Sequence, residues 1–110
     1  MTITYTKEDR EKYNANRARI CKALGIDKNA YNWFRRKGEL LLKVYEDSCN
    51  GIIDEFQTSV MEKEIASHAD SKAEELGLYV YYQTDPRGAT IYLDIKPIPR
   101  NSYNNAYCIY

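Results

Sequence analysis

The chain has a single histidine, and most nucleophilic and metal chemistry is lost with that scarcity. His68 stands four residues after Glu64, a spacing that puts both on one face of a predicted helix. Two ligands fall short of a zinc site, and no second histidine or nearby cysteine completes the set. There is no Gly-x-Ser-x-Gly, no Cys–His pair, no P-loop and no Gly-x-Gly-x-x-Gly turn, so neither an activated nucleophile nor a phosphate cradle is encoded locally. The carboxylates of Glu74, Glu75, Asp85 and Asp94 are scattered in the manner of any soluble chain. The sequence predicts a protein that is not an enzyme, with no catalytic residue, no cofactor and no bound metal.

Cysteine is also sparse. Cys21, Cys49 and Cys108 are odd in number, widely spaced and free of any Cys-x-x-Cys pattern, which excludes a fully paired disulfide framework. Cys21 and Cys49 fall in helical patterns and are expected as small buried hydrophobes. No apolar run approaches the ~20 residues a membrane helix needs, so no membrane partner is expected. The opening Met1-Thr2-Ile3-Thr4-Tyr5-Thr6 has neither the charged region nor the apolar stretch of a signal peptide, which points to a cytoplasmic protein.

What is present is enough for one soluble domain over residues 1–110. Residues 7–24 read as a helix capped by Thr6 and stopped by Gly25, with a narrow stripe of Tyr13, Ile20 and Leu24 beside Ala18 and Cys21. Residues 28–49 read as a second helix after Asp27, with Ala30, Trp33, Phe34, Leu40, Leu41, Val44 and Tyr45 on its apolar face. Gly38 interrupts that face, which suits a bend or a close helix crossing. Residues 59–76 read as a third helix opened by a Ser59-x-x-Glu62 capping box, with Met61, Ile65, Ala69, Ala73 and Leu76 as its stripe. Residues 52–57 read as a separate helical turn.

After Gly77 the apolar period changes to two. Strands are predicted at 78–83, 89–95 and 106–110, with a weaker fourth at Thr2 to Tyr5 and a loop over 101–105. The expected fold is α+β, with three helices packed on one face of a small antiparallel sheet of three or four strands. The reversal at Asp85-Pro86-Arg87-Gly88 is the best-specified turn. Proline presets φ, aspartate bonds the backbone ahead of it, and Gly88 supplies a positive φ for a bulge. Arg87 is not required by the turn and is therefore a candidate partner contact, although a hairpin-tip arginine is commonly just solvated.

Eleven tyrosines stand against two phenylalanines and one tryptophan, a bias toward half-buried surfaces and interfaces. Period two puts Tyr79, Tyr81 and Tyr92 together on the sheet face away from the helices. Their neighbours there are Gln83, Thr90 and Asp94 rather than lysines and arginines. Base stacking is thereby disfavoured, and the tyrosines become candidates for binding a protein or for forming a homo-oligomer, unless another segment covers them.

Charge sums to zero but is unevenly spread. Residues 1–50 carry 11 Lys+Arg against 7 Asp+Glu, and residues 51–110 carry 5 against 9. Residues 19–37 fit a helix-turn-helix corner, with Cys21, Gly25, Ile26, Tyr31 and Phe34 at its structural positions. Lys28, Asn29, Asn32, Arg35 and Arg36 would then face DNA. Many helix–Gly–helix corners share this spacing, the chain lacks net positive charge, and the second helix is long for a compact reader, so nucleic acid is the disfavoured partner.

Two stretches carry a resemblance. The first runs Leu24-Gly25-Ile26-Asp27-Lys28-Asn29-Ala30-Tyr31-Asn32-Trp33-Phe34-Arg35-Arg36, followed by Tyr45-Glu46-Asp47 and Cys49-Asn50-Gly51. The second spans residues 77–93 and contains Tyr81-x-x-x-Asp85-Pro86-Arg87-Gly88-x-x-x-Tyr92-Leu93. Together they resemble small uncharacterised accessory proteins of tailed bacteriophages and prophages. The resemblance implies a host-cytoplasm setting and a role in host takeover, counter-defence or phage DNA metabolism, with no catalytic residue to carry over. The expected function is non-enzymatic binding of a host or phage protein. Arg87, the Tyr79/Tyr81/Tyr92 face and the Arg35-Arg36-Lys37 run are the candidate contacts, and DNA binding through residues 19–37 is the alternative.

Overall fold

The computed structural model describes residues 6–85, 88–99 and 106–110. Three helices, α1 (Lys7–Leu24), α2 (Lys28–Cys49) and α3 (Glu55–Glu75), precede three strands, β1 (Tyr79–Asp85), β2 (Gly88–Asp94) and β3 (Tyr107–Cys108). The strands form one antiparallel sheet in the order β1-β2-β3, with the helices packed against it. The α+β class is therefore as the sequence predicts. None of the described helices is long and apolar enough to cross a membrane.

Cap chemistry sets the helix limits. Thr6 Oγ1 accepts from the Asp9 N–H while the Thr6 N–H donates to Asp9 Oδ2, a reciprocal capping box at the start of α1. Asp27 accepts from the Ala30 N–H at 2.7 Å and opens α2. The third helix departs from expectation. Asp54 and Gln57 form its capping box, so the predicted turn at 52–57 merges into α3 and the Ser59–Glu62 pair lies inside it. Both pairs satisfy the capping pattern, and the helix starts at the upstream one, where Asp54 Oδ1 accepts from the Gln57 N–H and Gln57 Oε1 accepts from the Asp54 N–H.

α2 is the central helix, touching α1, α3 and the sheet. Its buried residues are Ala30, Tyr31, Phe34, Gly38, Leu41 and Val44, and Phe34 and Leu41 are fully enclosed. Trp33 and Tyr45 are only half-buried, and Leu40 is 45% exposed, off the side that meets the sheet. In α3 the buried stripe is Ile65, Ala66, Ala69 and Ala73, with Met61 outside it. Cys49, expected inside, is exposed because it closes the last turn of α2 beside the exposed Asn50, and Cys21 is half-buried. Ala18 also faces solvent, leaving α1 anchored mainly by Ile20 and Leu24.

Ile91 and Leu93 of β2 are fully buried under the helices. Leu93 joins Phe34, Ile20, Leu24 and Ala73 in one cluster, Ile91 joins Leu41, Val44 and Ile65 in another, and Val80 touches both. β1 and β2 stay in register from Tyr79↔Asp94 to Asp85↔Gly88. Gly88 has the expected positive φ of 135°, but the register runs through it without the expected bulge. The reversal itself, Pro86 and Arg87, lies outside the described residues, as do the predicted strand at Thr2 to Tyr5 and the loop at 101–105. β3 is shorter than predicted. The chain nevertheless continues along β2, where the Ile109 N–H donates to the Ile91 carbonyl at 2.8 Å and Ile109 enters the core.

This path explains Gly38. A β-carbon there would lie 2.5 Å from the ring of Tyr110, so the close approach is made by the segment after β3, not by a crossing helix. Gly38→Ala gains about 1 kcal/mol of helix propensity. It also meets a ring with no room, at an overpacking cost of about 1–3 kcal/mol. Urea unfolding should show Gly38→Ala to be less stable than the parent, and adding Tyr110→Ala should recover part of that loss. Equal losses with and without Tyr110 would show that the ring is not the obstacle.

Candidate partner-binding surfaces

Three surfaces carry the predicted site residues or groups that sequence reasoning did not bring together. The first is the outer sheet face. The register places Tyr81 opposite Tyr92, with ring centroids 6.3 Å apart, and Tyr79 is on the same face one pair further along, opposite Asp94. Tyr81 and Tyr92 are half-buried, and Tyr79 is 48% exposed. Asp94, expected as an exposed polar neighbour, is only 5% exposed, and its carboxylate accepts from the Ile95 N–H at 2.7 Å. The three tyrosines are thus grouped as predicted, around a carboxylate folded back on its own main chain. Arg87 lies outside the described residues.

The second surface is the α1–α2 corner. Lys28, Asn29 and Arg36 are exposed there, whereas Asn32 and Arg35 are half-buried and engaged within the fold. Asn32 Oδ1 accepts from Arg17 Nη1 at 3.4 Å. The Arg35 guanidinium lies 4.7 Å from the Tyr13 ring centroid and 6.0 Å from that of Tyr110, with its Nε 3.7 Å from Glu39. Arg35 is therefore a strut joining α1, α2 and the segment after β3, held by cation–π attraction. Trp33 stands edge-on to Phe34, with Lys37 at 5.0 Å and Lys72 at 5.7 Å from its ring. A cleft of about 440 Å³ opens here, lined by Asn29, Trp33, Arg36 and Lys72 among others. Residues 12–37 hold eight lysines and arginines against the single acid Asp27, a concentration that the half-chain totals obscure.

The third surface was not foreseen. Two adjoining clefts, about 390 and 570 Å³, run along β1 and share Asp70 and Val80. Asp70, Ala73 and Glu74 of α3 form one wall, the β1 residues Tyr79 to Thr84 with the preceding Gly77 and Leu78 form the other, and Ile98 of the segment after β2 also lines the larger cleft. The bond from Ile109 to Ile91 turns the main-chain groups of Ala89, Ile91 and Leu93 toward β3 and those of the alternate β2 residues toward β1. In this register Tyr79, Tyr81 and Gln83 bond to β2, which leaves the N–H and C=O groups of Val80, Tyr82 and Thr84 directed away from the sheet. Among the described residues, no other main chain pairs with them on that side. Burial foremost, and then the nearby carboxylates of Glu62 and Asp70, push the Tyr82 hydroxyl above its usual range. Glu62, Asp70 and Glu74 fall at four-residue multiples along α3, a signal present in the sequence but meaningless until α3 is placed beside β1.

No family model, curated protein or solved structure matches the chain. What can be said of function therefore rests on this geometry. No cluster of three metal-ligating side chains occurs among the described residues, and His68 is exposed on α3 and lines none of the three clefts. A further apolar patch, Ile52, Phe56 and Val60, recurs at four-residue spacing across the start of α3, with Phe56 77% exposed. The sequence alone does not show it, because a separate turn at 52–57 would break the stripe that α3 continues from Glu55.

Tyr31, beneath Arg35, is enclosed and 2% exposed. Burial first, then the neighbouring Tyr13 ring, raises its hydroxyl above the ordinary value of 10.0, with Arg35 opposing. The folded state therefore retains a proton that the unfolded chain releases near pH 10, so this contribution is complete below pH 10 and is lost as pH rises through the higher folded value. Tyr82 acts in the same direction. Tyr31→Phe should flatten the fall in stability above pH 10 in denaturant titrations, and an unchanged alkaline slope would assign that fall elsewhere.

Proposed function

We propose that the protein is a non-enzymatic binding module that engages a host or phage protein through β1 and the tyrosine face beside it. The observation that carries this reading is the open side of β1, where outward main-chain groups, the part-exposed Tyr79 and the Tyr81/Tyr92 pair lie within one strand's breadth. Tyrosines of this kind contribute large contact area at low entropic cost, and they are enriched where partners dock. The likeness to phage accessory proteins sets the context of host takeover or counter-defence, with Arg87 of the Asp85-Pro86-Arg87-Gly88 sequence as an additional contact. Immobilised protein should retain a specific protein from bacterial host lysate. Combined Tyr79→Ala and Tyr81→Ala substitution should weaken that retention at least tenfold, about 1.4 kcal/mol, while the far-ultraviolet dichroism stays unchanged. No retained protein, or equal retention by the folded variant, would defeat the proposal.

DNA binding through the corner is the second reading, favoured by the eight basic residues within 12–37 and by the exposure of Lys28, Asn29 and Arg36. It predicts that duplex DNA is retarded at low salt and released steeply as salt rises. Arg36→Ala should weaken retardation without lowering stability, whereas Arg35→Ala should lower stability because Arg35 bridges Tyr13 and Tyr110. Absence of retardation at low salt would remove this reading.

A further inference from the structure

Resting on the protein-binding reading, we infer that the β1–α3 groove takes an extended basic segment of the partner, which adds to the sheet as a strand beside β1. Val80, Tyr82 and Thr84 present alternate N–H and C=O groups outward at the end of the sheet. That is the template an extended peptide completes, with main-chain bonds supplying affinity and alternate side chains supplying selectivity. The wall opposite the strand sets the selectivity. Asp70 and Glu74 are exposed along the groove, and Glu62 and Asp70 both lie close enough to act on the Tyr82 hydroxyl. Among the described residues no lysine or arginine lines either cleft, so the side chains that an added strand turns toward α3 meet negative charge.

The same charge argues against a second copy of this chain as the occupant. Pairing β1 with its symmetry mate would bring two acidic walls side by side, and like charges in juxtaposition oppose that register. A segment with lysine or arginine at alternate positions has the complementary pattern, because period-two side chains put every cation on the α3 side. Ala73 and Leu78 add apolar lining to the cleft that holds Asp70 and Glu74.

The test uses the full chain and three short synthetic peptides: one alternating lysine with valine, its glutamate counterpart, and a lysine–valine peptide N-methylated on alternate amides. Fluorescence anisotropy should show binding of the lysine peptide, with at least tenfold weaker binding of the other two. Amide resonances of Val80, Tyr82 and Thr84 should shift on titration and gain protection from hydrogen exchange. Asp70→Asn with Glu74→Gln should weaken binding of the lysine peptide several-fold. Thr84→Pro should weaken it too, because it removes an outward donor without touching the β1–β2 ladder. No binding of the lysine peptide, equal binding of lysine and glutamate peptides, indifference to N-methylation, resonance shifts confined to another surface, or dimerisation through β1 in sedimentation would each overturn the inference. If the lysate partner is still captured through Tyr79 and Tyr81 while these peptides fail, the strand-addition model falls and the binding reading stands. If capture itself fails, the binding reading falls.

Discussion

The packing of α2 across β2 is the constraint on which the rest of the molecule depends. Phe34 and Leu93 meet in one fully enclosed cluster, and Leu41 and Ile91 meet in the next, so a single helix and a single strand span both halves of the core. Enclosing a side chain of this size contributes about 1.5–3 kcal/mol, and these four are the largest such group shared by two elements. α1 buries Ile20 and Leu24 in this core, with Tyr13 and Cys21 packed against it, and α3 enters it through Ile65 and through alanines that let it lie close to α2 and β1. The position of α3, and hence of its acidic row against β1, follows from that close approach.

The tyrosine surplus also makes sense in this frame. Tyr31 serves as a core residue, while Tyr13, Tyr107 and Tyr110 present ring faces to Arg17, Arg19 and Arg35. These arginines shield apolar ring area that a small domain cannot enclose completely. A positively charged corner and a tyrosine-rich chain are thus partly one feature. Some of the charge that hints at a nucleic-acid partner is structural, as Arg35 illustrates, and of the five residues expected to face DNA only Lys28, Asn29 and Arg36 are exposed.

Legibility in the sequence followed the range of the forces involved. α1 and α2 were readable to the residue because Thr6, Asp27 and Gly25 act on backbone groups within a turn of themselves. α3 was misread at its start because Asp54-x-x-Gln57 and Ser59-x-x-Glu62 are two local signals of one kind, and sequence alone does not rank them. The common face of Tyr79, Tyr81 and Tyr92 followed from period two, which is local. The burial of Asp94, the exposure of Cys49 and Leu40, and the ring seated on Gly38 were not legible, since each depends on a segment far away in the chain.

By itself the sequence determined the α+β class, the opening caps of α1 and α2, the alternation along β1 and β2 and the grouping of Tyr79, Tyr81 and Tyr92. Those features come from hydrogen bonds and periodicities that span a few residues. Only the tertiary structure decided that Gly38 makes room for Tyr110, that Arg35 is a strut and not a free cation, and that Asp70 and Glu74 line the clefts beside β1. These depend on which elements pack together, and packing is chosen by the shape and area of whole faces, a quantity that no short window of residues contains.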